Sequence, residues 1–481
     1  MKGKKSKIIA MGSLLCFFIY ACDKANSDDG TTPPEETNLA TRSLTRAMEI
    51  TDNALEAYFT GSGMTMARYY NPYTDQRSNE VGSVWMYTSA IEAVTAILHA
   101  LEAEKEQGDA SRYDAHFNKY EQALMKLYDG VDYYLGTFTL TSYTGTNEWT
   151  VYGVNRGNSK GGARVEGIEN VYDDQMWLIR EFLEAYKVTN NALFLEKAEY
   201  LTEYVLDGWD CTIDENGKEV GGISWGPGYV TKHACSNGPM ISPLVWLHEL
   251  YKEKNDEISH RYIDETDRRT RKVVQMKKSD YYLLFAKKIY EWQKSYLLRN
   301  DGVYDDMMGG CTPGSPQLEQ IGGVDYRRGI TCRDRVGPAI TYNSGTMLSG
   351  AADLYRVTAD DKYRVDGTAL ANATFSYFAK KGVDVPDHYT FDISGFRNWF
   401  NGVLMRGYVD FYPLHNETDS YIDVFQKNLD YAYEHFFYNG FLPTNLLVGW
   451  NRDRGKNNTE GMFTFAFAAE YAVLSRYEQT K

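Results

Sequence analysis

The string Val-Tyr-Asp-Asp occurs twice in this chain, at Val171–Asp174 and at Val303–Asp306. Neighbouring carboxylic acids are candidates for acid–base and nucleophilic chemistry. Repulsion between close carboxylates drives their pKa values apart, so that one keeps a proton while the other is charged. The flanks separate the two copies. The second lies in "RNDGVYDDMMGGCTPGSPQ", where Gly302, Gly309, Gly310 and Pro313 mark a turn-rich loop. Acids in such loops commonly cap turns or face water, so Asp305 and Asp306 read as turn residues. The first copy leads directly into "QMWLIREFLEAY", an amphipathic helix, after a glycine-rich and aromatic approach, "TNEWTVYGVNRGNSKGGARVEGIEN". One acid in a first helical turn is explained by the helix dipole. A second acid, with Tyr172 and Trp177 bringing aromatic surface to the same place, makes Asp173 and Asp174 the candidate catalytic pair. Neighbours on a regular helix point about 100° apart. Both acids can therefore reach one cavity only from a helix start or an irregular turn.

The elements that must position this pair are helical. Apolar residues recur at helical spacing in about twelve segments, near 43–60, 82–107, 111–135, 171–188, 190–208, 236–254, 279–298, 338–357, 359–380, 397–415, 418–438 and 458–477. Strand-like alternation is confined to short pieces such as "GTFTLTSY" and "WTVYGV". The stretches "YKVTNNALF" (186–194) and "YRVTADDKY" (355–363) share a Tyr-x-Val-Thr pattern followed by an aromatic, each at a helix–helix junction. A third version, 250–292, is interrupted by an insertion. Tyr ends one helix, Thr or Asp caps the next, and the later aromatic returns to a shared core. Repeated helix hairpins imply a solenoid or a closed ring. About twelve helices in pairs fit an all-α (α/α)6 toroid of six hairpins, with a cavity among the loops at one end. Residues 255–278 read as a charged surface excursion, and 299–337 as a long ordered loop.

The N-terminus resembles a bacterial lipoprotein signal: a basic start, "MKGKKSK", an apolar run too short for a comfortable membrane span, and "IYAC" ending at Cys22. Residues 1–21 are expected as the signal peptide, Cys22 as the lipid anchor, 22–42 as a disordered tether rich in Pro, Ser, Thr and acids, and 43–481 as the folded domain. A formal charge of -15 leaves no basic surface for nucleic acid. The 39 Tyr and 9 Trp suit a surface that grips a polar ligand with apolar faces, as a sugar requires, although most aromatics simply pack. Cys211, Cys235, Cys311 and Cys332 remain beyond the signal. Their spacing favours 211–235 and 311–332 as local disulfides, with buried free thiols as the other reading. Neither CxxC nor HExxH spacing occurs, and no metal or cofactor is expected.

On "YDDQMWLIREFLEAYKVTNNALFLEKA" (172–198), "GGISW" (221–225), "KHACSNGPM" (232–240), "YLLFAKKIYEWQKSYLLRNDGVYD" (282–305), "TYNSGTMLSGAADLYRVTADDKY" (341–363) and "FNGVLMRGYVDFY" (400–412), taken in that order, the chain resembles glycoside hydrolase family 76, the retaining endo-α-1,6-mannanases built on an (α/α)6 toroid. The resemblance implies Asp173 as nucleophile and Asp174 as general acid/base. Tyr172, Trp225 and Tyr342 are the expected aromatic contacts, with Asn237 and Asn343 as hydrogen-bonding ones; Phe400 and Arg406 are weaker candidates. The insertions at 255–278 and 306–338 depart from the family pattern and fall where they could wall the cleft. The implied partner is an α-mannan poly- or oligosaccharide, met outside the inner membrane by a protein attached only through its lipid, at the cell surface or in the periplasm. Two rivals share these features: a non-catalytic glycan-binding surface lipoprotein, which would not need the acid pair, and another (α/α)6 hydrolase such as an exo-α-mannosidase.

Overall fold

The structure, a computed structural model, describes residues 38–311 and 314–481. The expected signal peptide, Cys22 and most of the tether lie outside the described residues. Leu39–Lys481 forms one unit. Helix α1 (Leu39–Tyr58) begins a few residues earlier than the periodicity suggests, and is followed by α2 (Val84–Glu106), α3 (Ser111–Val131), α4 (Tyr172–Thr189), α5 (Ala192–Asp207) and α6 (Ile241–Tyr251). The second half contributes α7 (Lys278–Leu297), α8 (Thr341–Thr358), α9 (Asp361–Phe378), α10 (Arg397–Phe411), α11 (Thr418–Phe436) and α12 (Gly461–Thr480). Every helical segment expected from periodicity is present.

Their packing closes a ring. The even-numbered helices pack in the cycle α2–α4–α6–α8–α10–α12 and back to α2, while α3, α5, α7, α9 and α11 each lie outside the helix they follow and α1 lies outside α12 and α2. Six hairpins with alternating inner and outer arms form an (α/α)6 toroid. Composition decides which arm goes inside. An outer helix needs one apolar stripe, and α3 buries Tyr120, Leu124, Leu127 and Val131, spaced four, three and four apart. An inner helix is covered on every side, and α12 is buried from Gly461 to Ala472 without interruption. Helix α2 is long and apolar enough to cross a membrane, but in this fold it is a core arm, with Ile91, Val94, Ile97, Leu98 and Leu101 fully buried. Each such side chain contributes about 1.5–3 kcal/mol. Between α8 and α10 the approach is closer than side chains allow: a Cβ on Gly345 would lie 2.6 Å from the Val403 carbonyl, and one on Gly407 2.6 Å from that of Gly345.

The repeated Tyr-x-Val-Thr junctions are two copies of one turn. Thr189 and Thr358 hydrogen-bond back to the carbonyls of Ala185 and Leu354, and Asn190 and Ala359 both adopt φ of 54°. Asn191 and Asp360 then cap the next helix, and Phe194 and Tyr363 are fully buried.

Alternation makes the six inner helices parallel, so their N-termini share one end of the ring. The loops entering those N-termini hold most of the strands. Leu135–Thr141 pairs with Thr146–Tyr152, as the alternation there suggests. Met307–Gly309 is the centre of a three-stranded sheet between Asp334–Val336 and Lys232–His233. Cys311 and Cys332 are disulfide-bonded within the same loop, whereas Cys211 and Cys235 are free. The second expected disulfide is therefore absent. Cys211 is buried beside Trp209 and Phe285 on the outer side, and Cys235 faces the inner helices. Residues 255–278, expected as a charged surface excursion, hold a regular β-hairpin, Glu257–Ile263 with Arg271–Lys277. Its second strand is exposed on both faces, including Val273 and Val274, so no alternation betrays it.

Candidate active site

Asp173 and Asp174 are the second and third residues of α4, whose N-cap Val171 is extended at φ −125°. The difficulty posed by adjacent acids is met at a helix start. Asp173 Oδ1 accepts from the Asp174 backbone N–H at 3.0 Å, satisfying an amide that has no intrahelical partner. Tyr172 N–H donates to the Trp225 carbonyl at 2.8 Å and fixes the entry of the chain. Asp173 is half-buried and Asp174 buried. Burial pushes the Asp173 carboxyl up to about 6, a rise partly offset by the nearby Cys235 thiol and Trp225 indole and by backbone N–H donors. Asp174 is held well above the usual carboxylate range, first by burial and then by the charge of Asp173. Of the two, Asp173 gives up its proton first.

Aromatic rings surround the pair. Trp225 is half-buried, stacked on His233 with centroids 5.0 Å apart and set against Tyr229 at 4.8 Å. One turn below the acids on α4, Trp177 Nε1 donates to Tyr342 Oη at 2.7 Å, and Tyr342 Oη donates to the Cys235 carbonyl at 3.4 Å. The charges of Asp173 and Asp174 act on Tyr342, which is held well above the usual tyrosine range chiefly by burial. Trp399 crosses Trp177 edge to face at 4.6 Å and packs on Tyr342 and Trp85. Phe400 stacks on Trp85 and packs on Tyr342 at 5.3 Å. Beneath this floor the buried Glu92 accepts from Trp399 Nε1 at 2.9 Å and pairs with Arg406, fixing the ring from below.

Among the expected site residues, Asp173, Asp174, Trp225 and Tyr342 are brought together, with Phe400 behind them. Three others are corrected. Tyr172 has no exposed surface; its ring packs on Tyr204 at 5.1 Å and against Gly208, where an added Cβ would lie 2.6 Å from it. Asn237 is wholly buried and spends its amide on backbone, donating to the His233 and Ile223 carbonyls at 2.7 and 3.0 Å and accepting from Ile223 N–H at 2.9 Å. Asn343 is likewise buried and donates to the Asp305 carbonyl at 3.0 Å. Both asparagines clamp loops and present nothing to a sugar. Arg406 lies in the ion pair with Glu92 below the floor and does not face the acids.

The second acid pair also divides. Asp305 is buried between Arg299 and Arg335, at 3.3 and 2.8 Å, as a structural loop acid. Asp306 turns toward the site instead, with Oδ1 4.0 Å from His233 Nδ1 and its charge felt by Cys235. Trp85, Tyr229, His233, Cys235, Asp306 and Trp399 were all missed from sequence. The register of the ring could have found two of them, because Trp85 and Trp399 occupy the first turns of α2 and α10, level with Asp173 in α4.

Residues 272–472 match the model of glycosyl hydrolase family 76, a span that includes α8, α10 and most of α12 but not α4. No curated protein sequence matches the chain. Among solved structures, the fold is similar to a family 76 glycoside hydrolase (mannosidase) of Bacteroides thetaiotaomicron, with a TM-score of 0.64 and 19% identity over 91% of this chain and 99% of that one. It is similar to an inactive variant of an α-1,6-mannanase from Salegentibacter sp. HEL1_6, in which two consecutive aspartates are replaced by asparagine, in complex with α-1,6-mannotriose; there the TM-score is 0.58 and identity 18% over 90% of this chain and 99% of that one. A D-mannose isomerase has the fold too, with a TM-score of 0.54 and 10% identity over 93% of this chain and 99% of that one. The shared toroid thus hosts more than one chemistry, and the site must decide between them.

Proposed function

We propose that this chain, whose residues 272–472 match the model of glycosyl hydrolase family 76, is a member of that family and an endo-acting α-1,6-mannanase that cleaves the backbone of mannan with retention of configuration. The observation that carries this reading is the pair of adjacent carboxylic acids at the start of α4, with the Trp177–Tyr342 floor one turn below and burial raising both carboxyls, Asp173 to about 6. Asp173, ionised, attacks C1 of a mannosyl unit. Asp174, still protonated, gives its proton to the departing O6 of the next unit. The C1–O6 bond breaks as the C1–Oδ bond to Asp173 forms. Asp174, now a carboxylate, takes a proton from water, whose oxygen attacks C1 and releases Asp173. Retention calls for carboxyl groups about 5–5.5 Å apart, a span within reach of side chains whose Cα atoms are ~3.8 Å apart. The mannanase neighbour with two consecutive aspartates replaced is an inactive variant and holds α-1,6-mannotriose, which supports both the substrate and the pair.

Attachment through a lipid on Cys22, outside the inner membrane, is part of the same proposal and rests on the N-terminal sequence alone. It suits an enzyme whose substrate is too large to import.

The test is incubation with linear α-1,6-mannan, comparing wild type with Asp173→Asn and Asp174→Asn. Release of mannooligosaccharides by wild type, abolished in both variants while ligand binding persists, is the expected result. Binding by wild type without cleavage would leave a glycan-binding protein.

A further inference from the structure

We propose that Asp306 is a substrate-binding residue whose carboxylate accepts hydrogen bonds from two neighbouring free hydroxyls of a sugar unit beside the cleaved bond, so that the enzyme selects unsubstituted stretches of chain. The proposal rests on the mannanase reading above and deepens it.

The observation behind it is a carboxylate placed and left open. Asp305 and Asp306 are neighbours, yet two arginines occupy Asp305. The Asp306 carboxylate takes no hydrogen bond among the described residues, and its nearest cationic partner is His233 at 4.0 Å. That imidazole is depressed to about 4 by burial, so near neutrality it is uncharged and forms no ion pair. Half-burying a carboxylate without donors is unfavourable, and burial does raise Asp306 above the usual range, with Asp305 adding to the rise and Arg397 opposing it. The fold nonetheless pins the residue firmly. Its carbonyl accepts from Ala234 N–H at 2.8 Å, the strand that follows it is hydrogen-bonded on both sides, and Gly337 lies so close that a side chain there would meet Asp306 Cβ at 2.4 Å. The disulfide between Cys311 and Cys332 closes the same loop.

What is missing is a pair of O–H donors. An ionised carboxylate accepts through both oxygens and matches two neighbouring hydroxyls of a sugar ring. The surroundings fit a sugar as well: His233, beside Asp306, is stacked on Trp225, which lies near Asp173. A substituent on either hydroxyl would remove a donor and add bulk against a residue whose backbone is held in place.

The experiment measures kcat and KM for wild type, Asp306→Asn and Asp306→Ala on linear α-1,6-mannan and on α-1,6-mannan carrying substituents at O2. Asp306→Ala is expected to raise KM on the linear polymer by at least about 10–100-fold, the worth of a single hydrogen bond to a charged acceptor, with kcat little changed because the contact serves ground and transition states alike. The preference for linear over substituted polymer should fall toward one. Asp306→Asn, which keeps shape and one acceptor, should fall between. Unchanged kinetics in both variants, or equal losses on both polymers with the preference intact, would overturn the proposal while leaving the mannanase reading standing. Failure of wild type to cut either polymer would overturn both.

Discussion

Replacing Asp173 by asparagine should make the protein more stable while removing its activity. The carboxyl is raised from 3.8 to about 6 by burial, so the folded state holds this proton more tightly than the unfolded chain does. Below pH 3.8 both states are protonated and the group does not disfavour folding. As pH rises to 6 the unfolded chain ionises freely while the folded one resists, and stability is lost across that window. Two pKa units correspond to about 3 kcal/mol at pH 7. Asparagine is neutral at every pH, keeps the oxygen that accepts from Asp174 N–H, and escapes the loss. With an unfolding entropy of about 2.1 cal/mol/K per residue over roughly 440 residues, the gain is about 3 °C in Tm. Thermal unfolding of wild type and Asp173→Asn at a series of pH values between 4 and 7 tests it: the two melting points should coincide near pH 4 and separate as pH rises. A constant gap, or a variant less stable than wild type at pH 7, would refute the argument that burial governs this carboxyl. Asp174→Asn should move in the same direction, since burial raises the Asp174 carboxyl as well.

Two further outcomes follow from the corrected positions. Asn237→Ala removes three hydrogen bonds to buried backbone groups of residues 223 and 233; it should cost about 2–4 kcal/mol in denaturant unfolding and lower activity by loosening the loop that carries Trp225 and Cys235. Tyr172→Phe, at a ring that packs on Tyr204 away from the acids, should leave KM on α-1,6-mannan unchanged, whereas a ten-fold rise would return Tyr172 to the substrate.

The outer arms of the ring were legible because each buries a periodic face, the inner ones as long apolar runs, and the two Tyr-x-Val-Thr junctions are alike in geometry as in sequence. What sequence could not supply was direction. At the start of α4, Tyr172 and Asp173 are neighbours, yet one enters the core and the other the site; no pattern two residues long distinguishes them. Asn237 and Asn343 have the chemistry of sugar ligands but are claimed by backbone carbonyls contributed by other loops. Asp306 looked like its neighbour Asp305 because the arginines that separate their fates, Arg299 and Arg335, stand on either side of a long loop. The hairpin at 257–277 was hidden by having no buried face along its second strand.

The parallel course of the inner helices gives the ring a polarity. Asp173 and Asp174 mark the end where α4 begins, and the outer helices begin at the other. There Arg112, at the start of α3, reaches across to the Thr41 carbonyl in the first turn of α1 and pairs with Glu104 near the end of α2. At that end too, Lys481 at the close of the chain meets Asp419 in the first turn of α11. Both termini of the folded unit therefore leave from one end of the ring, and the acid pair lies at the other. A partner fused to either terminus of the folded unit would therefore be added at the end away from Asp173 and Asp174, and would leave the loops around them uncovered.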